Sequence, residues 1–135
     1  MSAFGKVVGI AVASITLLAL AGVAVVSAQA PGPWNAPADA KAVKNPVKGV
    51  GNAKKTVETN CVSCHGPAGK GDGPAAAALP PPKPANWTAD PVQKQSDGEL
   101  FWKIANGRGA MPPWKHLPDQ ERWEIVNYIR TLKGK

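Results

Sequence analysis

The chain has 135 residues, a formal net charge of +7, 14 glycines, 14 prolines and only 6% aromatic residues. That length points to one domain, and the composition to a loop-rich one with a thin core, of the kind that leans on a metal or cofactor. No period of 20 to 50 residues recurs, which excludes a solenoid. The lysines and arginines are dispersed, without interleaved aromatics, so the charge argues against nucleic acid and for a soluble surface, anionic lipid or an acidic protein.

Val7 to Val26 is a run of twenty residues without a charge, preceded by Lys6 and followed by no charge until Asp39. As a helix it would span about 30 Å, the thickness of a bilayer core. The positive-inside rule places the residues beyond Val26 outside the cytoplasm. Ala28-Gln29-Ala30 and Val26-Ser27-Ala28 both have the small-x-small form of a cleavage site. Residues 1–30 therefore read as a signal peptide or an uncleaved membrane anchor through residues 7–26, and either exports the domain to the periplasmic side. Residues 31–50 read as an extended linker and residues 51–135 as the folded domain, with a formal +6 after residue 30.

A short helix is expected from Ala53 to Cys61, leading into "CVSCHG". A dithiol oxidoreductase would need strand signals around Cys61, and none are present. A structural zinc needs three or four ligands in pairs, for which His65, His116 and a few acids are too sparse. A disulfide between Cys61 and Cys64 would close too small a loop to stabilise much and leaves His65 without a role. Cys-x-x-Cys-His is the c-type haem attachment signature. Each thiol can add to one haem vinyl group, and the next residue, His65, is then held under the iron.

The segment "LPPPKPANWT" from Leu79 to Thr88 reads as a stiff loop along the haem edge. Ser96-Asp97-Gly98-Glu99 has the form of a capping box, opening a helix that carries Leu100, Phe101 and Ile104 and stops at Gly107. Met111 comes next, in "NGRGAMPPW", where glycines allow close approach to the haem and Pro112 and Pro113 restrict the loop. It is the one methionine besides the initiator, and the candidate second iron ligand; His116 is its rival. Pro118 opens the last helix, with Asp119 and Glu121 in its first turn, Arg130 and Lys133 in its last, and Ile125, Val126, Ile129 and Leu132 as its apolar stripe. No stretch alternates with period two, so the fold class is all-α.

Taken in order, "CVSCHG", "GKGDGP", "LFWKIANGRGAMPPW" and "LPDQERWEIVNYIRTLKGK" resemble the class I c-type cytochromes, specifically small bacterial mono-haem ones. The resemblance spans Cys61 to Lys135. It implies three to four helices around one haem c, bound through Cys61 and Cys64, with His65 and Met111 as metal ligands. It implies a carrier of single electrons between redox partners on the outer side of the cytoplasmic membrane, acidic ones given the basic surface, and not an enzyme. A haem c subunit of a larger membrane-bound oxidoreductase is the alternative, and a haem enzyme or gas sensor would result if Met111 leaves the iron. Similar proteins back the histidine with a proline carbonyl, for which Pro74 and Pro80 to Pro82 are the candidates here. Trp87 or Trp102 is the implied donor to a haem propionate. Where similar proteins carry Gly and an aromatic at the crossing of the first and last helices, this chain has Ala53 and Val57.

Overall fold

The computed structural model describes residues 32–135; residues 1–31, with the apolar run and both cleavage candidates, lie outside the described residues. Among the described residues six helices occur in order: α1 (Ala38–Ala42), α2 (Ala53–Asn60), α3 (Val62–His65), α4 (Asp90–Gln93), α5 (Asp97–Asn106) and α6 (Asp119–Thr131). The fold is all-α. Against an expectation of three to four helices, three run for eight residues or more and three are turns of four or five. Among the described residues no strand forms, and one isolated bridge joins Arg108 to Met111.

The ends of α5 are set by its sequence. Ser96 Oγ accepts the Glu99 N–H at 3.1 Å, and Gly107, at φ 61°, closes the helix. Only half of the capping box forms, because the Glu99 carboxylate turns to Lys103 Nζ at 2.9 Å. Helix α6 starts after Pro118, carries Asp119 and Glu121 in its first turn, and buries Ile125, Val126 and Ile129. Its far end is tied to α5 by Arg130, which donates to Asp97 Oδ1 at 2.8 Å and to the carbonyls of Gln93 and Gln95 at 3.0 and 2.6 Å.

Helix α2 crosses α6 closely. Ala53, Val57 and Val126 are 0–1% exposed, so the small Ala53 serves at a crossing where the resemblance led to an expectation of glycine. The N-terminus of α2 has no side-chain cap of its own. Instead the buried Glu124 carboxylate on α6 accepts the Asn52 N–H at 3.1 Å and Gln120 Nε2 at 3.0 Å. One acid thus satisfies an orphan helix donor and pins the two helices together.

The segment expected as an extended linker is built into the domain. Helix α1 packs on α5, where a Cβ on Gly98 would collide with the Ala40 carbonyl. Ser96 Oγ donates to the Lys41 carbonyl at 2.8 Å. Further on, Asn127 Nδ2 donates to the carbonyls of Val47 and Gly49 at 3.0 and 2.6 Å, and Asn45 Nδ2 to Asn127 Oδ1 at 2.9 Å. Composition gave no sign of these contacts, since they depend on groups of α5 and α6 more than 50 residues away.

Candidate haem site

Helix α2 ends at Cys61 and α3 places Cys64 and His65 one turn further on, with the His65 N–H donating to the Cys61 carbonyl at 2.8 Å. No disulfide joins Cys61 to Cys64. The chain then folds back: Gly71 N–H donates to His65 O at 2.8 Å, Gly73 N–H to Cys64 O at 3.1 Å and Trp87 N–H to Gly69 O at 2.7 Å. This brings residues 84–87 against the histidine. Gly71, at φ 78°, sits where a Cβ would lie 2.5 Å from the Pro84 carbonyl, so that closure needs a residue without one.

His65 is 8% exposed, its Nδ1 lies 3.0 Å from the Ala85 carbonyl, and its ring stacks on Trp87 with centroids 4.2 Å apart. The partner that fixes the imidazole is therefore Ala85, and neither Pro74 nor Pro80 to Pro82. Only the fold-back of residues 66–73 decides which carbonyl arrives there. With Nδ1–H donating to Ala85, Nε2 is left with its lone pair, the tautomer a metal ligand requires. Burial lowers the pKa of His65, outweighing the Ala85 hydrogen bond, and so favours the neutral ring. Burial, with the neighbouring Cys64 second, raises the Cys61 thiol to about 11.

Opposite elements supply Met111. After Gly107 the chain makes a tight turn in which Arg108 and Met111 exchange backbone hydrogen bonds of 2.9 and 3.0 Å. Trp114 N–H then donates to Ile104 O at 3.1 Å, fastening the loop to the end of α5. Met111 is half-buried.

Cys61, Cys64, His65 and Met111 all line one cavity of about 290 Å³. Leu79, Pro82, Pro84 and Ala85 from the proline-rich loop close one side of it, and Leu100, Ile104, Ile125 and Ile129 form its apolar floor. His116 is exposed, touches Trp114 at 5.3 Å, and is not part of the lining. Trp87 lines the cavity, Trp102 does not, and Trp34 and Trp114 do. Trp34, inside the segment read as a linker, is the residue that sequence reasoning missed. Two thiols, an imidazole with one nitrogen already bonded, a thioether and apolar walls are a donor set and surface that fit haem c. Among the described residues no group of three or more His, Cys, Asp or Glu could hold a metal ion.

An all-α fold with the attachment motif at a helix junction beside an apolar cavity defines a c-type cytochrome domain, a module for electron transfer. The family described as cytochrome c oxidase, cbb3-type, subunit III matches residues 50–129, and the chain belongs to that family. Among solved structures it is similar to a chain of the Kuenenia stuttgartiensis reducing HAO-like protein complex Kustc0457/Kustc0458, at 27% identity and a TM-score of 0.56 over 67% of this chain and 49% of that one. The chain thus spans about half the length of that relative. It is also similar to the KustC0563 c-type cytochrome, at 26% identity and a TM-score of 0.50, over 60% of this chain and 96% of that one. No curated protein matches.

Proposed function

We propose that this protein is an exported mono-haem cytochrome that passes single electrons between redox partners on the outer face of the cytoplasmic membrane. The observation that carries the reading is the convergence of Cys61, Cys64, His65 and Met111 on one cavity. Haem c, when bound, supplies an iron that takes up and releases one electron. Cys61 and Cys64 would hold the group by two thioethers. His65 would bind the iron through Nε2 while Ala85 fixes its ring, and Met111 would supply the second ligand from the other loop. Methionine ligation and the apolar walls favour a positive reduction potential. With His65 and Met111 both as ligands, the iron would offer no open site to a substrate, so the role would be carriage of electrons and not catalysis. The formal +6 beyond residue 30 suits acidic partner proteins.

The test is carbon monoxide binding to the ferrous protein at neutral pH, together with an intact mass. The reading expects one haem added covalently and no carbon monoxide complex. A ready complex would make the protein a haem enzyme or sensor instead.

A second reading, a haem c subunit of a larger membrane-bound oxidoreductase, is favoured by the family's description and by a structural relative that belongs to a complex. A haem protein that requires detergent and co-purifies with other subunits would select it.

A further inference from the structure

Trp34 stands in the wall of the cavity. Its ring has Arg108 Cζ at 5.9 Å and Lys103 Nζ at 5.4 Å from its centroid, two cations over one indole. Arg108 Nη2 also donates to the Gly32 carbonyl. The backbone of the same Arg108 makes both hydrogen bonds of the bridge to Met111. One residue therefore joins the start of the N-terminal segment to the methionine loop, by its side chain on one side and its main chain on the other.

That segment cannot drift freely. It is fastened to Ser96 through Lys41, to Gly98 by close approach of Ala40, and to Asn127 through Asn45, Val47 and Gly49, while Ala36 is 4% exposed. Among the described residues the backbone of the methionine turn is closed on itself by the two bonds of its bridge. Its position is thus set from outside, by the Trp114–Ile104 bond to α5 and by a strap anchored on α5 and α6.

We propose that residues 32–50 clamp the methionine loop, and that Trp34 is the positioning residue which, through Arg108, holds Met111 in the cavity wall. Removing the indole leaves the Arg108 side chain without its aromatic support, and the 108–111 turn opens more often. The consequence for the iron rests on Met111 being its second ligand; the clamp does not.

The experiment compares haem-loaded wild type with Trp34→Ala, Trp34→Phe and Arg108→Gln. The first readout is amide hydrogen exchange at Met111, whose N–H donates within the bridge, against Gly71 and Gly73 on the histidine side. The expected result is exchange at Met111 faster by about tenfold in Trp34→Ala, the size of one lost cation–π contact with its burial. Gly71 and Gly73 should not change, and Trp34→Phe should recover most of the protection. Arg108→Gln should raise exchange at Met111 at least as much as Trp34→Ala, because it removes the contact with the indole and the Gly32 hydrogen bond together, and the double variant should go no further than Arg108→Gln. If Trp34→Ala does not load haem, Arg108→Gln carries the same comparison from the cavity rim. Unchanged exchange at Met111, or an equal rise at Gly71, Gly73 and Met111, overturns the clamp. The second readout is binding of imidazole to the ferric protein, expected to tighten about tenfold in parallel. Faster exchange with unchanged imidazole affinity upholds the clamp and overturns Met111 as the ligand.

Discussion

Around His65 the chain bonds to itself over short distances: residues 61 to 87 supply the two thiols, the imidazole, the carbonyl behind it and the tryptophan stacked on it. Around Met111 the local bonds are few, and the loop is placed by Ile104 from α5 and by Trp34 and Gly32 from the far N-terminal side. The histidine wall is a closed local loop, and the methionine wall is an assembly of distant pieces. The two should therefore fail separately: damage to the first removes the cofactor, and damage to the second alters the iron's environment while the cofactor stays.

The largest effect is expected from Cys61→Ser combined with Cys64→Ser. Both covalent anchors disappear, and the cavity loses the group that fills much of this small domain's core. The product should carry no haem on a denaturing gel and should unfold without a cooperative thermal transition. Haem staining on the denatured double variant would contradict the attachment.

Next in size is Gly71→Ala. The new Cβ would meet the Pro84 carbonyl and the residue would sit at positive φ, together costing about 2 kcal/mol or more. Denaturant unfolding of the haem-loaded protein measures the loss. Because Gly71 holds the 84–87 segment against His65, binding of imidazole on the methionine side should stay near the wild-type value.

Lys103→Glu separates packing from steering. From sequence, Lys103 and Lys115 both stand near the methionine loop as candidates to attract an acidic partner. In the structure the Lys103 side chain is only 14% exposed and paired with Glu99, itself 13% exposed, so its charge is largely spent within the fold. Reversal places two carboxylates together at a mostly buried site and should cost about 2 kcal/mol of stability. Lys115 is exposed, and its reversal should leave stability unchanged while slowing oxidation or reduction by an acidic partner. That slowing should fade as salt rises, since the Debye length is about 8 Å at physiological ionic strength. Stopped-flow rates equal for Lys115→Glu and Lys41→Glu at every salt concentration would show that this charge steers nothing. This is the smallest of the expected effects.

What could be read in the sequence is what short range decides. Ser96 and Gly107 mark the ends of α5, Pro118 opens α6, the apolar stripe of α6 is buried as its spacing requires, and the Cys-x-x-Cys-His run lies at the α2–α3 junction. The missed features all depend on loop closure. The carbonyl behind His65 comes from Ala85, twenty residues on, because the glycines of the 66–73 loop permit a fold-back that no local pattern announces. The strap carries neither helical nor alternating periodicity along most of its length, and it is held largely through its own backbone carbonyls, which leave no mark in composition. Trp34 was visible as a residue but could not be assigned to the cavity without those contacts. Glu99 and Lys103, four apart on α5, had the spacing of an ion pair, and their burial made the pair decisive for what Lys103 can do.

If His65 and Met111 hold the iron between these two walls, the ferric absorption spectrum and reduction potential of Met111→Ala, beside wild type and His116→Ala, will show it. Met111→Ala alone should lose the methionine charge-transfer absorption and have a lower potential, with covalent haem retained. A Met111→Ala protein that keeps both the absorption and the wild-type potential would contradict this ligation.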